Sequence, residues 1–371
     1  MSKAFISAVC MTKIGRHFKL GIKNLIHEVT ACMEEKIGSR PDYLIVASTF
    51  SALQTHQLDV ASIATQYLGW SNIPSIRVET GETSGIAALE LAQYIVRSGA
   101  ASKVLVIGVE KMTEYPSNKV NADYAKILDY DTEYVRNITP PSYAALVMKE
   151  YMRKYGATRD DIAEWPVKMH ANAVNNPYAQ LRFPVSKEAV SNAMVISEPI
   201  TLLDAFPIGD GAAAVLVTNE SARSKDALEI VATAAATAPP LYLREDITEL
   251  PATKAAWASL KRKLDACKLS EVALQVHDSY SIYGILALEA VGISEKGKAC
   301  QVIPNLEYLN VGGGLKARGH PVGATGLYQV AETYELMLEG FAGKQYGGEY
   351  ALIHSMSGSD YNARLALLRR W

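Results

Sequence analysis

Between Asn310 and Gly326 the chain reads NVGGGLKARGHPVGATG: six glycines in 17 residues, with one histidine, His320, just ahead of a helical stretch. Glycines at this density permit positive φ angles and close approach of backbone to a ligand. An imidazole at that position has the chemistry of a proton donor or acceptor near neutral pH. The run does not fit a phosphate-binding Walker loop, which needs Gly-Lys-Ser/Thr. Nor does it fit a dinucleotide fingerprint, which follows a first strand. A glycine-rich connection carrying a surface histidine is the bland reading, and composition alone does not separate the two.

The elements around this run alternate short β-branched segments with longer helical patterns. Strands are predicted at Ala4–Val9, Tyr43–Ala47, Lys103–Val109, Ala213–Val217, Glu229–Thr233, Ala273–Val276, Tyr350–His354 and Ala363–Leu368. Helices are predicted at Leu20–Lys36, Val60–Leu68, Gly85–Ser98, Thr253–Cys267, Ile282–Val291 and Gly326–Gly340. Such alternation predicts a mostly parallel sheet with helices on its faces. A weak internal repeat runs through it. Thr83-Ser84-Gly85 opens a helix leading to the strand Lys103–Val109, and Ala324-Thr325-Gly326 opens one leading to the strand ending at His354. The second strand turns at once through Gly358-Ser359-Asp360 into a return strand. The equivalent return in the first half comes only after Gly209-Asp210-Gly211. The chain therefore divides into halves at about 1–220 and 225–371, with a lid-like insertion over about 111–210. Connections of that length usually cover a site.

Composition narrows the function classes. With 37 Lys+Arg against 39 Asp+Glu the net charge is −2, which gives no basic footprint for nucleic acid or anionic lipid. No apolar run approaches the ~20 residues of a membrane span, and the first residues lack the apolar core of a signal peptide. A cytoplasmic location is expected. The four cysteines, Cys10, Cys32, Cys267 and Cys300, show no CxxC spacing, so neither a zinc cage nor a disulfide framework is expected. They read as small, mostly buried apolar residues, and no metal site is expected.

Gly312-Gly313-Gly314 followed by Gly319-His320-Pro321-Val322-Gly323-Ala324-Thr325-Gly326 resembles the C-terminal signature of the thiolase family. Four further stretches agree, in the family's order. They are Arg77-Val78-Glu79 before the Ser84-Gly85 helix with Val109–Thr113 after it, and His170 to Gln180. The others are Asp204 with Gly209–Ala214, and His277-Asp278-Ser279-Tyr280, which is similar to the form in archaeal and sterol-carrier-type members. The resemblance covers nearly the whole chain. It implies the thiolase fold, two pseudo-repeated α/β halves packed in α-β-α-β-α layers. It also implies a CoA thioester as ligand, with no covalently bound cofactor.

Carried over residue by residue, the two histidines are present and both cysteines are absent. His320 falls on the activating histidine and His277 on the oxyanion position. Glu82 stands where the acyl-accepting cysteine should be, and Ser355 where the second cysteine should be. His320, His277, Glu82 and Ser355 are thus the candidate catalytic residues. His170, Ser84, Tyr280, Gly313 and Gly358 are candidates for holding the substrate. A carboxylate is a poor acyl acceptor, and a serine hydroxyl has too high a pKa to replace a cysteine base. Covalent acetyl-CoA condensation is therefore not expected.

Two main readings follow. One is an enzyme performing cysteine-independent carbon–carbon chemistry, aldol/retro-aldol or decarboxylative, with His277 and His320 stabilising an enolate oxygen. Glu82, Tyr280 or His354 would move the proton. The other is a catalytically inactive subunit that binds acyl-CoA or braces an active partner, with Glu82 filling the pocket. A serine nucleophile at Ser84 or Ser279 is a third, and no activating triad is visible for it. A helix N-terminus favours ionised Glu82 and burial opposes it, so its charge stays open at this level. The family resemblance further implies a homodimer or tetramer, pairing near Ile76, and a small zinc-ribbon/OB-fold partner. His56, Arg182 and Lys168 are weaker candidates, whereas His17 and His27 read as surface residues.

Overall fold

The computed structural model describes residues 2–220, 223–224, 226–263 and 271–371. Among these described residues eleven strands form in chain order. β1 (Phe5–Met11), β2 (Tyr43–Ala47), β3 (Ser75–Val78), β4 (Lys103–Glu110) and β7 (Gly211–Thr218) belong to the first half, with the short pair β5 (Val195–Ser197) and β6 (Ile200–Thr201) inside the insertion. β8 (Leu228–Thr237), β9 (Ala273–Gln275), β10 (Tyr350–Ser357) and β11 (Asn362–Arg370) belong to the second. Nine of them make one continuous sheet in the order β3-β2-β4-β7-β1-β8-β11-β10-β9.

The sheet is mixed, which corrects the expectation of a mostly parallel one. Only β2–β3, β2–β4 and β9–β10 pair in parallel, while β1–β7, β1–β8, β4–β7, β8–β11 and β10–β11 are antiparallel. The cause is the return strand in each half. β11 turns straight back against β10, β7 returns against β4 after the insertion, and β1 then joins the halves edge to edge.

The strands alternate faces between cores. Val106 and Ile353 face a central core shared by both halves, whereas Ile107 and Leu352 face outer cores. Helices Ser84–Ser98 and Thr325–Leu338 lie in the central layer and contribute Leu89 and Leu327. Helices Ile22–Ile37 and Val60–Tyr67 cover the outer face of the first half, and Pro251–Lys261 and Ser281–Ala290 that of the second. The two central helices approach so closely at their N-terminal ends that only glycine fits. A Cβ on Gly85 would stand 2.9 Å from the Leu327 backbone nitrogen, and one on Gly326 would stand 2.9 Å from the Ile86 nitrogen. This crossing brings the segments before each helix, carrying Glu82 and His320, to one point.

The insertion is mainly helical and includes Ser117–Ala125, Pro140–Tyr155 and Glu164–Ala173. Its two ends are tied together at Asp210, whose carboxylate receives Lys111 Nζ at 2.6 Å and the backbone N–H groups of Met112 and Thr113. Burial would raise that carboxyl, but Lys111 and Thr113 hold it below its ordinary value.

The cysteine reading needs correcting. Cys10 and Cys32 form a disulfide that joins β1 to helix Ile22–Ile37, with Cα atoms 6.2 Å apart. The helix packs directly on the strand, so two cysteines 22 residues apart meet without any spacing motif. Cys300 is free and buried, its thiol pushed up to about 12 chiefly by burial. Cys267, and the end of the helix predicted over Thr253–Cys267, lie outside the described residues. No described helix is long and apolar enough to cross a membrane.

Candidate active site

Glu82 sits in the turn that enters helix Ser84–Ser98. Gly81, at φ +63°, makes the turn, and a side chain there would collide with Ser357. The Ser84 hydroxyl donates to Gly81 O at 2.6 Å and accepts from Thr80 N–H at 2.9 Å. Ser84 is therefore a local cap with its proton in use, which leaves no activated nucleophile there. The second half grips the same turn. Glu82 N–H donates to Ser357 Oγ at 3.2 Å, and the Ser355 hydroxyl donates to the Glu82 carbonyl at 3.2 Å. Ser355 thus sits beside the site and acts on Glu82's backbone.

The carboxylate of Glu82 is buried and has four neighbours. The Tyr124 hydroxyl donates to Oε1 at 2.6 Å, and Gly358 N–H donates to Oε2 at 3.1 Å. His320 Nε2 lies 3.1 Å from Oε1 and His277 Nε2 lies 3.4 Å from it. Burial pulls the carboxyl upward, but the His277 and His320 imidazoles set against it bring it well below the ordinary carboxylate range. These contacts favour the ionised form of Glu82. Tyr124 is pushed the other way, by burial and by the Glu82 charge, so its phenol stays protonated.

His320 is held from behind by Thr325, whose hydroxyl lies 2.6 Å from Nδ1. Its loop is pinned to the first half by Gly323 N–H, which donates to Glu110 Oε2 at 2.8 Å. That buried carboxylate also takes Ser48, Thr49 and Phe50. Burial pushes His320 down to about 4, against the Glu82 carboxylate, so the imidazole is neutral near pH 7. His277 follows β9. Asn310 pairs with the backbone of Val276 on both sides, and Asp278 accepts Trp165 Nε1–H at 2.9 Å and Leu315 N–H at 2.7 Å. Burial raises Asp278 to about 6 in spite of these donors. Among the described residues neither ring nitrogen of His277 makes a well-formed hydrogen bond, Nε2 facing Glu82 Oε1 at 3.4 Å.

The other predicted residues separate into neighbours and bystanders. Gly358, at φ +58°, supplies its N–H to Glu82, and Gly313, at φ +98°, packs where a Cβ would meet Ala173 Cβ at 2.6 Å. His354 is not free to move a proton. Its Nε2 lies 3.0 Å from Thr253 Oγ1, and its Nδ1 accepts His277 N–H at 3.3 Å. Burial lowers it to about 3, so it is a neutral clamp on the His277 backbone. His170 hydrogen-bonds the Phe183 carbonyl through Nδ1 at 2.9 Å and stands apart from the Glu82 cluster. His56 pairs with Tyr115 at the surface, and Arg182 and Lys168 reach backbone carbonyls. His27 is exposed, whereas His17 is half-buried with its Nε2 2.7 Å from the Lys13 carbonyl oxygen.

A cavity of about 1370 Å³ opens within the insertion, bordered by Arg16 and Phe18 of the first half and by Tyr280 of the second, and Tyr124, Phe206 and Tyr280 form its inner wall. Glu82, His277 and His320 lie behind that wall and do not line the cavity. Phe206 meets His320 edge-on with centroids 4.6 Å apart, and Tyr124 meets Phe206 at 5.3 Å. Sequence reasoning missed Tyr124 and Phe206. Tyr124 lies on a short amphipathic helix inside the insertion, with no motif to distinguish it from the chain's other 19 tyrosines (20 in all).

A continuous mixed sheet, two central helices crossing at paired glycines and a histidine pair at their entrance define the thiolase architecture. The family model for the thiolase N-terminal domain matches residues 5–221, and that for the thiolase C-terminal domain-like region matches residues 236–370, so the chain belongs to the thiolase family. Among relatives, the acetyl-CoA acetyltransferase of Methanothermobacter thermautotrophicus is 34% identical over 394 aligned residues, covering 100% of both chains. The benzoylsuccinyl-CoA thiolase subunit BbsB of Thauera aromatica is 28% identical, covering 90% of this chain and 89% of that one. Among solved structures, the Ltp2-ChsH2(DUF35) aldolase shares the fold with a TM-score of 0.82 at 20% identity, over 99% of this chain and 98% of the other.

Proposed function

We propose that the chain binds a CoA thioester and makes or breaks a carbon–carbon bond beside it without a cysteine nucleophile. The observation that carries this reading is the ionised carboxylate of Glu82 held against His277 and His320. A carboxylate kept as the anion is a proton acceptor, and imidazole N–H groups are donors to a developing enolate oxygen. In the cleavage direction, Glu82 takes the proton of a β-hydroxyl group. The Cα–Cβ bond breaks to leave a carbonyl compound, and its electron pair passes into the thioester as an enolate. His277 and His320 hold the enolate oxygen, and Glu82 returns the proton to Cα.

The apolar rim of the cavity, with exposed Phe18, Met194 and Leu202, supports an accessory partner such as the zinc-ribbon/OB-fold protein expected from the resemblance. The half-exposed edge strand β3 supports pairing of two copies. A second reading, a non-catalytic acyl-CoA-binding subunit, is favoured by one observation: the aromatic wall separates the Glu82 cluster from the cavity.

Acetyl-CoA, a β-ketoacyl-CoA and a β-hydroxyacyl-CoA supplied separately, with CoA release and carbonyl product followed, distinguish the readings. Carbonyl release from the β-hydroxy substrate that disappears in His320→Ala supports the enzyme. Tight thioester binding without turnover of any of the three, unchanged in Glu82→Cys, supports the subunit.

A further inference from the structure

We infer that Glu82, His277 and His320 form a binding site for one transition-metal dication of the zinc or cobalt class. Glu82 Oε1, His277 Nε2 and His320 Nε2 lie within 4.8 Å of one another, and all three residues are buried. Oε1 is 3.1 Å from one nitrogen and 3.4 Å from the other. A tetrahedral ion with bonds of 2.0–2.1 Å places its ligand atoms about 3.3 Å apart. The two separations bracket that value.

Hydrogen bonding alone leaves the cluster incomplete. A carboxylate oxygen offers about two lone-pair sites. Oε1 already receives the Tyr124 hydroxyl and lies beside His320, and fully buried His277, with Nε2 3.4 Å from Oε1, makes no well-formed hydrogen bond through either ring nitrogen. A dication takes up the unpartnered Nε2 lone pair and balances the buried carboxylate.

The outer contacts suit a ligand set. Thr325 can donate its hydroxyl proton to the Pro321 carbonyl, 3.2 Å away, and so accept from His320 Nδ1–H. That tautomer frees Nε2 for a metal, as a hydrogen-bond acceptor behind a metal-bound histidine does. Gly358 N–H occupies Oε2 and leaves Oε1 to coordinate. Two imidazoles and one carboxylate, with a fourth position open, match catalytic zinc, whereas calcium and magnesium favour all-oxygen shells. If the chain carries out the chemistry proposed above, the cation replaces the imidazole N–H groups in holding and polarising the thioester oxygen, from its fourth position. That consequence rests on the proposed function, and the site itself does not.

The test uses the untagged full chain, stripped with a chelator and titrated with Co²⁺ under visible spectroscopy and with Zn²⁺ by equilibrium dialysis. One equivalent per chain with the absorption of four-coordinate cobalt is expected. Glu82→Gln and His277→Asn should each weaken binding more than about 100-fold, beyond the 10–100-fold cost of losing an outer-shell partner, and His27→Asn should leave it unchanged. X-ray absorption of the loaded wild type should show a nitrogen- and oxygen-donor shell with imidazole scattering, whatever the variants' folding. Absence of stoichiometric uptake, a sulfur or imidazole-free shell, or uptake that survives both substitutions overturns the site. Metal binding without carbon–carbon turnover counts against the proposed function alone. Turnover by a protein that takes up no metal counts against the metal site alone.

Discussion

The hydroxyl of Tyr124 donates to Oε1 of Glu82 at 2.6 Å, joining a residue of the insertion to the carboxylate at the head of a central helix. One side chain thereby does two things. It stabilises the buried anion, and it forms part of the wall between that anion and the cavity. A hydrogen bond to a charged group contributes about 1.5–3 kcal/mol.

Tyr124→Phe should therefore lower stability by about 1.5–3 kcal/mol, read from the urea midpoint at pH 7. The wall keeps its shape, so thioester affinity should change little. Tyr124→Ala removes the wall as well and should expose Glu82 to solvent and to carboxyl-directed modification. Equal modification rates in wild type and Tyr124→Ala would show that the ring does not shield the carboxylate.

The crossing of the central helices gives a second prediction. A methyl group on Gly85 would stand 2.9 Å from the Leu327 nitrogen and 3.0 Å from Gly326 Cα, both backbone atoms that cannot swing aside. Gly85→Ala should cost about 1–3 kcal/mol, the usual range for overpacking. It should also weaken ligand or metal binding, because the segments bearing Glu82 and His320 separate. Gly347→Ala, where a methyl meets nothing within 4 Å, is the control and should leave binding unchanged.

Much of this arrangement was legible in the sequence. The repeat between Ser84-Gly85 and Thr325-Gly326 predicts the paired central helices, because each is a helix start just before a core strand. The residues of the Glu82 cluster fall within motifs of fixed order, so Glu82, His277, His320, Ser355 and Gly358 are all found. What the sequence did not reveal depends on packing between distant segments. Tyr124 reaches Glu82 only because the insertion folds back over the turn that enters helix Ser84–Ser98. Cys10 meets Cys32 only because a helix lies on its own preceding strand. The parallel bias was misjudged for a related reason. A return strand and a crossover strand have the same β-branched pattern, and direction is set by the connection.

The disulfide yields a third prediction. Cross-linking across 22 residues restricts the unfolded chain, a loop-closure effect of about 3 kcal/mol. Cys32→Ser, or reduction under denaturing equilibrium, should lower stability by about that amount without altering the Glu82 cluster on the other face of the sheet. The bridge joins β1 to the outer helix and not to the central pair. An unchanged urea midpoint after complete reduction would contradict the prediction.

Histidine burial sets the acid limit of the fold. His170 is fully buried with Nδ1 on the Phe183 carbonyl, and burial together with nearby Lys316 lowers it from an ordinary 6.5 to about 4. Between those values the unfolded chain holds the proton and the folded chain does not. Its contribution is therefore complete above pH 6.5 and lost as the pH falls toward 4, at up to about 1.4 kcal/mol per pH unit. Buried Asp278 and Asp360, both raised to about 6, act in the opposite direction over part of the same range. Wild type alone thus shows only the sum, and the difference between wild type and His170→Asn isolates the histidine. Urea titrations at pH 7, 6 and 5 should show the variant losing less stability on acidification, by about 2 kcal/mol between pH 6.5 and 5. Parallel pH profiles for the two proteins would mean that His170 titrates in the folded state as it does in the unfolded one.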